Sequence, residues 1–165
     1  MRPNTLLPAA FLFFGISASG DTPCDLSLMR YVHSPARLKI VEGCVTIRGT
    51  VISKYINPWD GDYHVNIRPD AEFMYLLNDA DRKKGRLVTE FVCQSRFSIR
   101  RIIKKNEKQV CEGYSNFLQI PKMGDYVEMT GIHVDDVQEG HMEIHPVTNI
   151  KIIMTRKAIK AARHK

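Results

Sequence analysis

The sequence predicts an all-β domain with minor helix, on three observations: five short runs of alternating or β-branched residues, a glycine inside two of those runs, and one polar, basic insertion between the third and the fourth. Five short strands with a helical insertion at that place is the arrangement of a five-stranded, partly open Greek-key barrel of the OB type. An immunoglobulin-like sandwich would call for about seven strands.

The first run starts at Cys44. Val45, Ile47, Gly49 and Val51 alternate with Thr46, Arg48 and Thr50, which is a half-buried strand with a glycine where a barrel strand bends. Asn57, Pro58, Trp59, Asp60 and Gly61 make a turn. Tyr63, Val65 and Ile67 then alternate with Asp62, His64, Asn66 and Arg68, a second strand with an unusually polar outer face that pairs with the first as a hairpin. Glu72 to Leu77 is short and apolar, about one helical turn, and Asn78 to Gly85 reads as a polar turn. Leu87 to Cys93 is the third strand, with Glu90 set among β-branched and aromatic neighbours. Ser95 to Gln109 carries Phe97, Ile99, Ile102 and Ile103 among its charges and suits a short helix. Asp125 to Val134, with Gly131 inside it, is the fourth strand, and Glu143 to Ile153 is the fifth, where Pro146 demands an edge or a bulge.

The chain divides into residues 1–20, an N-terminal arm 21–43, the barrel domain 44–153 and a basic tail 154–165 that reads as a helix or a frayed end. Arg2, the apolar stretch Leu6 to Ile16 and the small residues Ser17 to Gly20 have the order of a secretory signal. Eleven apolar residues are too few to cross a bilayer, which takes about 20. The expectation is therefore a secreted or periplasmic protein with no transmembrane helix after cleavage.

Export makes disulfides the expected use of Cys24, Cys44, Cys93 and Cys111. Of the three possible connectivities, Cys93 with Cys111 is preferred because both flank one polar segment. Cys24 with Cys44 would pin the arm to the first strand. No C-x-x-C pair is present, which argues against a thiolate zinc site.

The net charge of +6 is unevenly placed. Residues 21–150 hold 17 bases against 18 acids, so the excess lies in the tail, from Lys151 onward. Within the domain, Arg96, Arg100, Arg101, Lys104, Lys105 and Lys108 against Glu107 put +5 between Cys93 and Cys111. Barrels of this class present a face and flanking loops to nucleic acid or sugar chains, with cations on acidic groups and aromatics as platforms. The basic loop with Trp59 and Tyr63 is thus a candidate polyanion site, and Tyr55, Phe97 and Tyr114 are further candidate platforms. A charge run is more often just a solvated face, and an envelope partner is equally open.

Asp60, Asp62, His64, Glu90, Glu143 and His145 form a second candidate set. Period two puts Asp62 with His64 on one face and Glu143 with His145 on one face of another strand. If those faces meet, Asp62, His64, Glu90, Glu143 and His145 supply imidazole and carboxylate donors for a divalent metal, the only cofactor the sequence points to, and a metal-dependent hydrolase or nuclease becomes the alternative function. The plainer reading is structural: the aspartates shape the turn, Glu90 and His145 bond one another, and no cofactor is needed. His33, His133, His141 and His164 stand isolated in the pattern. Ser95 and Ser98 lack a nucleophile turn, and no phosphate loop or dinucleotide fingerprint occurs. The preferred function is a non-enzymatic binding module.

G-T-V at Gly49 to Val51, D-G-D-Y-H at Asp60 to His64, L-V-x-E at Leu87 to Glu90, P-K-x-G-D-Y-V-x-x-T-G at Pro121 to Gly131 and E-I-H-P-V at Glu143 to Val147 together resemble a family of small, uncharacterised, exported OB-like proteins of bacteria and archaea. The resemblance spans Cys44 to Ile150, implies the barrel fold, and implies no activity. Family members usually carry a tryptophan just before E-I-H-P-V, where this chain has His141 and Met142. The D-G-D turn is also similar to the calcium-holding turn of thermonuclease-like enzymes, although Tyr63 replaces their threonine and Arg68, Asp70 and Glu72 follow too closely.

Overall fold

The computed structural model describes residues 24–57, 60–94 and 110–162. The secretory signal expected at residues 1–20, Trp59, and the short helix expected over 95–109 with Arg96, Arg100, Arg101, Lys104, Lys105 and Lys108 lie outside these described residues.

Strands β1 (Leu38–Ile56), β2 (Tyr63–Pro69), β3 (Leu87–Phe91), β4 (Tyr126–Asp136) and β5 (His141–Met154) form one mixed sheet. Their order is β1-β2-β3-β5-β4, and β4 pairs back onto β1, so the sheet closes on itself. Every seam is antiparallel except β3–β5, which is parallel and short: Val88 faces Glu143 and Thr89 faces Ile144. Two 3₁₀ turns, Leu26–Tyr31 and Pro35–Arg37, precede β1. A third, Ala71–Leu76, and helix α1 (Asp79–Lys84) join β2 to β3, and helix α2 (Arg156–Ala162) follows β5.

The alternation read in the sequence is the inward set. Val45, Ile47, Val51, Val65, Ile67, Leu87, Phe91, Val127, Met129, Ile144 and Val147 make the main core. Gly49 and Gly131 are where backbones cross closely. A Cβ at Gly131 would meet the Ile144 side chain and the Pro146 carbonyl, and one at Gly49 would meet the Arg68 and Pro69 backbone. Pro146 falls in an irregular stretch, because the β4–β5 register jumps between His133↔Ile144 and Gly131↔Val147.

Two local readings are corrected. β1 begins at Leu38 rather than Cys44, since β4 supplies partners for Leu38 to Ile40 although Ile40 and Val41 stay exposed and give no alternation. The polar stretch after Asn78 is helical: Asn78 Oδ1 accepts from the Asp81 amide, and Gly85 closes the helix at φ +62°. The outer face of β2 is polar as read, with His64 and Asn66 buried and Arg68 exposed.

His64 is stacked on the Tyr55 ring and Asn66 donates to Ser53 Oγ at 2.7 Å, while the arm covers other parts of the sheet. Leu28, Tyr31 and Val32 pack with Val92, Cys93 and Tyr114 into a second cluster, while Cys24 joins Ile132 and Val134 in a third. The arm is held there by the Cys24–Cys44 disulfide, and Cys93 is bonded to Cys111, with Cα separations of 5.4 and 5.6 Å. Both pairings are those preferred from the sequence. Two disulfides suit an oxidising, extracytoplasmic setting. No helix among the described residues is long and apolar enough to cross a membrane.

Candidate functional site

Register brings the polar candidates together. His64 stands opposite Glu90 across β2–β3, and Val88 opposite Glu143 across the parallel seam, so the side chains of His64, Glu90, Glu143 and His145 converge on the sheet face away from the main core. Glu90 Oε1 lies 3.0 Å from His64 Nδ1, and Glu90 Oε2 lies 3.2 Å from His145 Nδ1. Glu143 continues the chain, with Oε2 3.0 Å from His145 Nδ1 and Oε1 2.6 Å from His141 Nε2. At the other end Tyr55 Oη is 3.0 Å from His64 Nδ1, and the two rings stack at 4.5 Å.

His141, which the sequence pattern leaves isolated, closes this chain. The signal for it was present: residues 141, 143 and 145 share a strand face at period two. His133 is a separate buried imidazole, with Nε2 3.0 Å from the Leu76 carbonyl.

Asp62 reaches the set from the β1–β2 turn. The Cys93 amide donates to Asp62 Oδ1 at 2.6 Å, which ties that turn to the first disulfide foot of the basic loop. Asp60 shapes the turn, accepting from the Asp62 amide at 2.9 Å and from Asn57 Nδ2 at 2.6 Å, while Gly61 adopts φ +83°. Asp62, Glu90 and His145 are nearly inaccessible, and one donor atom from each lies within 4.8 Å of the others, a set able to hold a divalent ion.

Electrostatics show how the network stands without one. Burial, and then the Asp60 charge, push the Asp62 carboxyl up to about 8. Burial works against charge on His64 and His145, but Glu90 outweighs it at His64, and Glu90 with Glu143 outweighs it at His145, so both are raised. The hydrogen bond to Glu143 raises His141. Burial works against charge on Glu143 as well, and the His141 and His145 contacts overcome it and lower its pKa. The network therefore neutralises itself with its own protons. His64 Nε2 and His145 Nε2 are buried without hydrogen-bond partners among the described residues.

Access lies beside the network. The β1–β2 turn, the β4–β5 turn and the arm border a polar groove of about 460 Å³ lined by His33, Arg37, Asn57, Asp60, Gln138 and Glu139. Asp136 builds the β4–β5 side: its Oδ1 accepts from the Gln138 and Glu139 amides at 3.0 Å, and its other oxygen is ion-paired with Arg37. A small cavity lined by Tyr31, His33, Asp60, Asp62, Val110 and Cys111 places the disulfide foot of the basic loop next to this groove.

No family model and no curated protein matches the chain.

Of the aromatic candidates, Tyr55 is 54% exposed and is an open platform. Tyr63 is half-buried and packs on the main core, so it is not one. Tyr114 is buried edge-on against Tyr31 and Phe117. Trp59 and Phe97 lie outside the described residues.

Proposed function

We propose that this protein is an exported, non-enzymatic binding module on an OB-type Greek-key barrel, and that it takes an acidic polysaccharide through the polar groove and the basic segment between Cys93 and Cys111. The observation that carries this reading is the meeting of the β1–β2 and β4–β5 turns in one groove, the loops with which barrels of that type hold sugars and nucleic acid. Asn57, Gln138, Asp60 and Glu139 offer the mixed donors and acceptors that hydroxyl groups require. The bases of the Cys93–Cys111 segment supply charge for the acidic groups. The resemblance to exported OB-like proteins agrees with this assignment and adds no activity.

Calorimetric titration with an oligogalacturonate tests the reading, beside a neutral oligosaccharide of equal length and a thymidine oligonucleotide. The acidic sugar binds most tightly, and Gln138→Ala weakens it several-fold, the size of one lost hydrogen bond. Equal binding of the neutral sugar would remove the basic loop from the account, and tighter binding of the oligonucleotide would change the ligand.

A metal-dependent hydrolase is the second reading, favoured by the convergence of Asp62, Glu90 and His145. Against it, all three are nearly inaccessible, and the cavity that reaches Asp62 is small. Stoichiometric metal in purified protein, with hydrolysis that chelation abolishes, would bring this reading forward.

A further inference from the structure

A second groove, of about 530 Å³, shares no lining residue with the polar one. Ile120, Met123 and Ile152 give it an apolar floor, and the Met123 side chain is 52% exposed. Lys54, Lys122, Arg156 and Lys157 stand around it. None of these four makes an ion pair among the described residues.

The rim is built rather than loose. Lys54 Nζ is held by the Pro121 carbonyl at 3.1 Å, and the Arg156 stem lies against Gly124, where a Cβ would meet its Cγ and Cδ at 3.0 Å. The acid in the lining, Asp125, is buried and turned inward, its two oxygens taken by the Lys122 and Arg156 amides at 2.9 Å each. Its charge is thus directed at backbone, and the open side of the groove is cationic over an apolar floor. The volume falls in the range of small-molecule sites, about 300 to 1,000 Å³.

We propose that this groove binds a single-chain anionic amphiphile, with the acyl chain along Ile120, Met123 and Ile152 and the acid group between Lys122, Arg156 and Lys157. The charge on the rim selects the head, and the floor selects the tail. A concave site of this size takes one free molecule, not the face of a bilayer.

The test titrates the full mature protein with dodecyl phosphate below its critical micelle concentration, by calorimetry and by methyl NMR of the methionines. One molecule binds per chain and the Met123 methyl signal shifts. Inorganic phosphate and dodecyl maltoside, each lacking one half of the ligand, bind at least about tenfold more weakly. Lys122→Glu with Lys157→Glu, and separately Met123→Asp, weaken the probe by about tenfold or more while leaving the circular dichroism unchanged, since all three side chains are solvent-facing. Replacing Arg100, Arg101, Lys104 and Lys105 by Ala leaves it unchanged. Equal affinity for inorganic phosphate would overturn the proposal, as would loss of binding in the loop variant. Co-sedimentation with phosphatidylglycerol vesicles that the Lys122 and Lys157 changes abolish, without one-to-one uptake of the free probe, would overturn it in favour of a membrane surface.

Discussion

Glu90 on β3 and His145 on β5 meet across the short parallel seam, Oε2 to Nδ1 at 3.2 Å, and both are almost wholly buried. That pair joins the two halves of a polar chain running from Tyr55 to His141. Ladder pairing at this seam is confined to Val88↔Glu143 and Thr89↔Ile144, so side chains carry much of the connection.

Removing one partner should therefore be costly. Glu90→Ala or His145→Ala lowers unfolding free energy by about 3 to 5 kcal/mol, the range for breaking a buried pair, and Glu90→Gln costs less because it keeps a hydrogen-bonding group. Urea denaturation checks this. A double-mutant cycle between Glu90 and His145 should give a coupling energy of about 0.5 to 3 kcal/mol, and additive losses would mean that the contact is not formed.

The network also sets a pH dependence, to be read in chelator-treated protein. His64, His141 and His145 are raised above 6.5, so their stabilising contribution is complete below about that pH and is lost as pH rises through the folded values. Asp62, raised from 3.8 to about 8, acts in the same direction, losing stability between those values as pH rises. Glu143, lowered from 4.5, contributes above that pH and loses its contribution as pH falls. Thermal melts should thus peak near pH 4.5, fall as Asp62 loses its contribution, and fall more steeply above pH 6.5 toward pH 8. A flat profile from pH 5 to 8 would contradict the proton assignment.

Much of the core was legible because β-strand period two is a direct statement about sides. Val45, Ile47 and Val51, and Val65 with Ile67, turn inward as their alternation requires. What alternation could not report is that the other side is also covered. Nothing near Leu28, Tyr31 and Val32 announces that they will pack on Val92, Cys93 and Tyr114, and residue types alone do not report that His64 and Asn66 are buried. The convergence of Glu90, Glu143 and His145 depends on register between strands distant in sequence, which residue types leave open. His141 was recoverable, since it stands in step with Glu143 and His145.

The glycines at backbone crossings give a sharper structural test. Gly131→Ala places a methyl group against the Ile144 side chain and the Pro146 carbonyl, and Gly49→Ala places one against backbone alone. Each should destabilise by more than about 2 kcal/mol, toward the upper range for overpacked sites. Gly43→Ala, where a Cβ meets nothing within 4 Å, is the matched control and should fall within about 0.5 kcal/mol of the parent.

The arm's role can be isolated by its disulfide. Replacing Cys24 and Cys44 by Ser should cost about 3 kcal/mol for a sequence separation of 20 residues, and should speed hydrogen exchange at the amides that the arm covers just after β3 and in β4. Unchanged exchange at Val92 and Ile132 would mean the arm stays docked without the bond.

Polyanion binding by the basic segment between Cys93 and Cys111 is read most directly from the salt dependence of oligogalacturonate affinity. Each neutralised charge releases condensed counterions, so the logarithm of affinity falls linearly with the logarithm of salt concentration. The slope should flatten when Arg100, Arg101, Lys104 and Lys105 become Ala, and stay unchanged when the chain is ended at Ile153 to remove the basic tail. An unchanged slope in the four-residue variant, with binding lost in the shortened chain, would contradict the account and assign the interaction to the tail.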